Sequence, residues 1–91
     1  KKIGKESTNT SVYDITGRIC ENTDRIAVDR KFPNVKENDL IAIMDTGAYC
    51  FTMSHQFCTR PKSAEILLDG ENPRLIRRRE KIEDIFSGCE V

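Results

Sequence analysis

Short apolar runs separated by polar turns recur along the first third of the chain. Residues 12–15 favour β-structure, and that run ends at Gly17. A brief extended piece is expected at Ile19-Cys20. Ile26 and Val28 then alternate with less apolar neighbours, which is typical of a strand with one face buried.

The pattern continues with longer apolar runs in the middle and second half. Residues 40–44 are continuously apolar over the length of a strand, which predicts a strand buried on both faces. A further strand is predicted over residues 64–68. Asp69-Gly70 begins a hairpin connection that residues 71–73 lengthen, and Leu75-Ile76 opens the return strand.

Two segments have helical rather than strand spacing. Tyr49, Met53 and Phe57 recur every four residues, which indicates one or two helical turns. Residues 80–86 place Ile82, Ile85 and Phe86 on one helical face. We therefore expect a short helical segment after Tyr49 and a C-terminal helix.

About six short strands with one terminal helix favour a small all-β barrel or sandwich. The length of 91 residues fits one small domain and is too short for a Rossmann sheet or a TIM barrel. Residues 1–10 are polar and are predicted to be a flexible lead-in or a cut connection. Residues 11–91 are predicted to form the domain.

The charge balance argues against two classes of partner. Fifteen basic residues match fifteen acidic ones, so the chain has no general attraction to nucleic acid or to an anionic membrane. No apolar stretch has the length of a membrane span. The basic stretch at residues 74–81 is accompanied by acids at Glu80, Glu83 and Asp84, and we interpret its arginines as a solvated strand face with ion pairs.

The four cysteines lack the spacing of a metal site. No pair is separated by two residues, and His55 is the one histidine, so no metal ligands are predicted. We expect free thiols in a cytoplasmic protein, some of them buried as small apolar side chains.

Two short motifs could carry chemistry. The segment Cys20-Glu21-Asn22-Thr23-Asp24 places a thiol and two acids at the end of a short strand, where a loop begins and a thiol can give or take a proton. Tyr49 follows the turn at Gly47 and could aim its phenol at a ligand phosphate or carboxylate. Taken alone, each motif is more simply a polar turn or a packed core residue.

The motifs in their order resemble the C-terminal domain of diaminopimelate decarboxylase. The resemblance covers roughly residues 12–86 and rests on the following segments: Gly17-Arg18-Ile19-Cys20-Glu21-Asn22-Thr23-Asp24, Asp29-Arg30-Lys31-Phe32-Pro33, Asp39-Leu40-Ile41-Ala42, Asp45-Thr46-Gly47-Ala48-Tyr49, Arg60-Pro61 and Leu75-Ile76-Arg77-Arg78-Arg79-Glu80. The chain departs from the family's usual residues at Arg18, at Cys50 and over residues 54–59.

The resemblance implies a small Greek-key β-barrel like the C-terminal domain of alanine racemase. It implies pyridoxal 5'-phosphate as cofactor, held by a TIM-like barrel domain whose Schiff-base lysine is not in this chain. It further implies a homodimer with shared active sites. Cys20 would be the proton donor from the partner subunit, Glu21 would bind substrate, and Tyr49 would contact substrate and the cofactor phosphate.

The resemblance thus predicts part of an enzyme that converts meso-2,6-diaminopimelate to L-lysine and CO2. The chain alone is expected to be inactive. Two alternatives stay open: an ornithine- or arginine-type decarboxylase of the same fold, and a β-barrel binding module without catalysis. The decarboxylase hypothesis predicts an exposed apolar surface where other parts of the enzyme pack, and the module hypothesis predicts none.

Overall fold

The computed structural model describes residues 1–90, in which strands are the main regular structure. The strands are β1 (Thr10–Thr16), β2 (Arg25–Pro33), β3 (Glu65–Asp69) and β4 (Asn72–Arg77). The helices are α1 (Tyr49–Thr52), a 3-10 turn (Phe57–Thr59) and α2 (Ile82–Ile85). The chain divides into two compact units, residues 1–46 and the part from Gly47 onward. The predicted helical segment after Tyr49 is confirmed.

The first unit is built on the antiparallel pair β1 and β2. Tyr13 faces Arg30 and Ile15 faces Ala27, so β2 carries one extra residue opposite Asp14. This β-bulge bends the strand at Asp29, whose φ is 50°. The Asp14 carboxylate accepts the Asp29 backbone N–H at 2.9 Å and so holds the bulge in place.

The prediction of a doubly buried strand over residues 40–44 is wrong. Ile41 forms a single bridge with Lys2, supported by hydrogen bonds from Ile3 N to Leu40 O (2.8 Å) and from Ala42 N to Lys1 O (2.6 Å). Leu40, Ile41, Ile43 and Met44 are all exposed. An apolar run becomes a strand only where it finds a partner strand, and here three residues of the predicted lead-in supply the pairing.

The second unit contains the hairpin of β3 and β4. Asp69 pairs with Asn72, which leaves a two-residue turn at Gly70-Glu71. Gly70 has a φ of 61°, as the first position of a tight hairpin turn requires. The predicted longer connection over residues 71–73 is therefore wrong, because Asn72 and Pro73 already belong to β4. The C-terminal helix is present but is shorter than the predicted 80–86.

No side chain among residues 1–90 is fully buried, and large apolar side chains from every strand and helix are exposed. Ile26 and Val28, predicted to be half-buried, are 49% and 52% exposed because no layer covers their face within the first unit. The described residues form two two-stranded sheets, with four strands rather than six. The exposed apolar surface expected for a decarboxylase domain is present.

Candidate functional site

Cys20 and Glu21 lie in the loop that joins β1 to β2, residues 17–24, which we call the Cys20 loop. Its ends meet where Gly17 N donates to Asp24 O at 2.9 Å. The Asp24 carboxylate reaches back and accepts the Ile19 backbone N–H at 2.9 Å. The extended piece predicted at Ile19-Cys20 is wrong, because both residues lie in bends of this closed loop.

Glu21 is held by a neighbour two residues along the loop. Its carboxylate accepts the Thr23 backbone N–H at 3.1 Å and also the Thr23 hydroxyl. Such local bonds between a side chain and the backbone stabilise turns. Glu21 O accepts the Asp24 backbone N–H at 3.0 Å, so main chain and side chain are both ordered at this position. The Glu21 carboxylate is exposed and oriented at the loop surface.

All four cysteine side chains are exposed, and within residues 1–90 no disulfide joins them. The prediction that some thiols are buried is wrong, since neither unit has a fully buried interior. The Cys20 thiol lies at an open concavity that the Cys20 loop lines together with Thr16 and Arg25. A bound molecule could therefore reach the thiol directly.

Tyr49 opens α1 in the second unit. It follows the turn at Gly47, whose φ is 64°, and Ala48 caps the helix. The Tyr49 side chain is 72% exposed, so its hydroxyl is available to a ligand. The structure brings Cys20 and Glu21 together in one loop and places Tyr49 in the other unit.

A basic and aromatic cluster in the second unit is centred on Phe51. The Arg77 guanidinium lies 4.2 Å from the centroid of the Phe51 ring, and Lys62 Nζ lies 5.4 Å from it. These distances are those of cation–π contacts. Arg77 is also paired with Glu65 across the hairpin. The interpretation of the arginines in residues 74–81 as a strand face with ion pairs is confirmed for Arg77.

Arg78 is paired as well, with the first turn of α2. Its guanidinium donates to both oxygens of Asp84, at 2.5 and 2.9 Å. This pairing holds the pKa of the Asp84 carboxyl well below its usual range, and the Lys81 backbone N–H adds to the effect. The same pairing raises the pKa of Arg78. These charges stabilise the structure locally and leave little net attraction for an anion.

Two other carboxyl groups are tied to the backbone. Glu80 accepts the Lys62 backbone N–H at 2.9 Å and the Gln56 amide at 3.0 Å, and these bonds lower its pKa. The Lys36 backbone N–H, with Lys2 in support, lowers the pKa of Asp39. Both carboxyl groups are part of the local structure of their own segments, which lie outside the Cys20 loop.

Sequence reasoning missed the part that Asp24 plays in the Cys20 loop. The signal is a glycine at the end of one strand and an aspartate at the start of the next, with Gly17 and Asp24 seven residues apart. No periodic pattern marks such a pair.

Among residues 1–90 no cluster of His, Cys, Asp or Glu could hold a metal ion. No helix in this range has the length and apolar character needed to cross a membrane.

Comparison with known protein families gives a match over the first unit. Residues 1–47 match the model of the pyridoxal-dependent decarboxylase C-terminal sheet domain. This range contains the Cys20 loop, whereas Tyr49 lies just outside it. The match covers half of the chain.

Individual relatives extend the similarity through most of the chain. Diaminopimelate decarboxylase of Archaeoglobus fulgidus is 47% identical over 75 residues, which are 82% of this chain and 18% of that protein. The enzyme of Pseudomonas aeruginosa is 43% identical over 76 residues, or 84% of this chain and 18% of its own length. The chain thus spans 18% of the length of these relatives.

A solved structure agrees with the family match and with the individual relatives. The crystal structure of diaminopimelate decarboxylase from Helicobacter pylori complexed with L-lysine superposes with a TM-score of 0.86 at 34% identity. The superposition covers 96% of this chain and 21% of that one. The chain belongs to the pyridoxal-dependent decarboxylase family, as the C-terminal sheet domain.

Proposed function

We propose that this chain is the C-terminal sheet domain of a diaminopimelate decarboxylase. The enzyme would convert meso-2,6-diaminopimelate to L-lysine and CO2 as a step of lysine biosynthesis. The observation that carries the proposal is the identity with enzymes of that name over more than four fifths of the chain. The exposed Cys20-Glu21 pair in its ordered loop supports it.

Cys20 is proposed as the proton donor. After CO2 leaves, the α-carbon of the product needs a proton, and a thiol at hydrogen-bonding distance can supply it. Exposure of Cys20 in the middle of a closed loop supports this role, because the donor must meet a molecule held by another part of the enzyme. In the proposed homodimer, Cys20 acts in the active site of the partner subunit.

Glu21 is proposed to bind the substrate. Diaminopimelate carries an ammonium group at the end distant from the reaction, and a carboxylate can accept a charge-assisted hydrogen bond from it. The two bonds from Thr23 hold the Glu21 carboxylate at the loop surface. The carboxylate therefore loses little conformational freedom when the ammonium group binds.

Tyr49 is proposed to contact the cofactor phosphate and the substrate. Pyridoxal phosphate, when bound, supplies the electron sink that allows loss of the carboxyl group. The exposed Tyr49 phenol fits this group as a single donor to a phosphate oxygen. The family's Schiff-base lysine belongs to the TIM-like barrel domain, so this chain would form only one wall of the cofactor site.

The exposed apolar surface supports the proposed partners. Side chains such as Leu68 and Leu40, each 69% exposed, would lie against the TIM-like barrel domain or the second subunit. Further strands from the rest of the enzyme would complete a Greek-key barrel around the two sheets described here. We propose a cytoplasmic enzyme, which the exposed thiols favour.

The proposal is tested in the longer protein that contains this chain, loaded with pyridoxal phosphate. We expect release of CO2 from meso-diaminopimelate, and much less from ornithine or arginine. Cys20→Ala should reduce turnover by about 10²-fold or more and leave cofactor binding nearly unchanged. Cys50→Ala is the matched control, because Cys50 is also an exposed thiol but lies in α1.

Each alternative has its own result in the same assays. Preference for ornithine or arginine would assign the chain to the related decarboxylases. Failure to release CO2 from any of the three substrates would favour the binding module without catalysis. Full turnover by the Cys20→Ala enzyme would remove Cys20 from the reaction.

A further inference from the structure

The Cys20 loop is closed by one residue, Asp24, which binds the loop at three points. Its backbone O accepts from Gly17 N at 2.9 Å, and its carboxylate accepts from Ile19 N at 2.9 Å. Its backbone N donates to Glu21 O at 3.0 Å. Cys20 lies between Ile19 and Glu21, so two of these bonds hold the residues on either side of the thiol.

Gly17 gives the Asp24 carboxylate the space that it occupies. A Cβ atom at Gly17 would lie 2.0 Å from one Asp24 carboxylate oxygen and 2.2 Å from the other. Because the carboxylate is on a short side chain and is bonded to Ile19, it cannot move aside without breaking that bond. The requirement at position 17 is therefore one of space, and any larger residue would displace Asp24.

We propose that Asp24 is a positioning residue for Cys20 and that the lack of a side chain at Gly17 is required for Asp24 to take this position. Asp24 fixes the backbone at Ile19 and Glu21, and this fixes where the Cys20 thiol lies. The inference rests on the proposed function of Cys20 as proton donor. A displacement of about 1 Å in a reacting group can lower a rate by about 10²-fold, so the loss of one such bond is measurable in turnover.

The test uses the full-length enzyme with its cofactor and compares Asp24→Ala with Asp24→Asn. The alanine removes the acceptor for Ile19 N, and we expect kcat to fall by about tenfold or more. The asparagine keeps a carbonyl oxygen at the same place, and we expect it to restore most of kcat. The KM for diaminopimelate should change much less than kcat in the alanine variant, because the Thr23 bonds to Glu21 remain.

Asp14→Ala is the matched control. Asp14 also accepts one backbone N–H, from Asp29 at 2.9 Å, in the same pair of strands but outside the Cys20 loop. We expect its kcat to stay within about twofold of the wild-type value. Gly17→Ala is the second test variant, since it displaces the carboxylate without removing it, and it should lower kcat as Asp24→Ala does.

A second readout does not depend on turnover. The rate of alkylation of Cys20 by iodoacetamide is followed in the enzyme without substrate, and peptide mass spectrometry separates Cys20 from the other thiols. We expect Asp24→Ala and Gly17→Ala to change this rate severalfold, whereas Asp24→Asn and Asp14→Ala leave it close to the wild-type rate.

The outcomes separate this inference from the function on which it rests. If Cys20→Ala retains full turnover, the proposed role of Cys20 fails. If Cys20→Ala is inactive but Asp24→Ala keeps wild-type kcat and alkylation rate, the positioning role of Asp24 is wrong. The role is also wrong if Asp24→Asn lowers kcat as much as alanine does, or if Asp14→Ala has an equal effect.

Discussion

The individual side chains proposed for the site are distinguished by what holds them in place. The Glu21 carboxylate is bound by Thr23, the loop around Cys20 is bound by Asp24, and Tyr49 stands exposed at the start of a short helix. A group that is ordered and still exposed can meet a ligand at low entropic cost. We therefore expect a substitution at each of these residues to have its own measurable effect.

Glu21→Gln should raise the KM for meso-diaminopimelate by about tenfold or more and lower kcat less. The change removes the negative charge that would pair with the distal ammonium group, and hydrogen bonds to charged groups are stronger than neutral ones. Steady-state kinetics of the full-length enzyme measure this. Glu71→Gln, at the exposed hairpin turn, is the control and should leave KM unchanged. An unchanged KM in Glu21→Gln would contradict substrate binding by Glu21.

Tyr49→Phe should weaken the affinity for pyridoxal phosphate by several-fold, because one neutral hydrogen bond to the phosphate is lost. Titration of the cofactor-free enzyme by fluorescence gives the Kd. Tyr13→Phe is the matched control, since the Tyr13 hydroxyl accepts the Val35 backbone N–H at 3.3 Å within the first unit. Equal effects of the two substitutions would show that Tyr49 has no special contact with the cofactor.

At the residue scale, the sequence identifies Cys20, Glu21 and Tyr49 as candidates because their motifs occur in a recognisable order, and the roles given to them are proposals. The bond between Asp24 and Ile19 is not predictable in the same way, because it depends on a close approach of Asp24 to Gly17. Such a contact between residues of different local segments leaves no pattern in hydrophobicity.

A strand is predicted correctly from the sequence when the residues that pair with it lie nearby in the chain. The hairpin of β3 and β4 is predicted because its turn signal, Asp69-Gly70, stands where β3 ends and the turn begins. The apolar run at residues 40–44 is mispredicted because a strand needs a partner, and within residues 1–90 it pairs only with residues 1–3, through a single bridge between Ile41 and Lys2. Hydrophobicity identifies an apolar run but does not show whether a partner strand or a covering layer is present.

Helix α2 is short and is held by charge. Asp84 accepts from both Arg78 and the Lys81 backbone N–H, which places a negative charge in the first turn, where the helix dipole favours it. A carboxyl group with a lowered pKa stabilises the folded state at pH values above its ordinary pKa of 3.8. This contribution is lost as the pH falls through the lower pKa of the folded state.

Arg78→Gln should therefore raise the pKa of the Asp84 carboxyl toward its ordinary value. The measurement is the pH dependence of the carboxyl carbon shift in selectively labelled full-length enzyme, followed down to the pH at which it unfolds. Arg74→Gln is the control, because Arg74 lies in β4, the strand that ends just before Arg78, and has no part in the Asp84 pairing. If Asp84 titrates at the same pH in wild-type and Arg78→Gln proteins, the guanidinium is not the cause of the shift.

On the scale of the whole chain, the main feature is the lack of a buried interior. Burial of apolar surface is the dominant favourable term in folding, and residues 1–90 leave large apolar side chains of both units exposed. The sequence contains enough apolar residues for a core, so composition alone predicts burial within the chain. We propose that the covering surface belongs to another part of a larger enzyme, and composition does not reveal such a surface.

We therefore predict that the chain expressed alone lacks a cooperative unfolding transition. Its thermal melt should be broad, and it should bind the dye ANS strongly, because the apolar faces near Leu68 and Ile26 remain in contact with water. It should form no covalent adduct with pyridoxal phosphate and release no CO2 from diaminopimelate. The full-length enzyme is the control and should show a sharp transition and weak dye binding. A sharp transition in a monomeric isolated chain would contradict the dependence of folding on the rest of the enzyme. It would favour a domain that is stable without its partners.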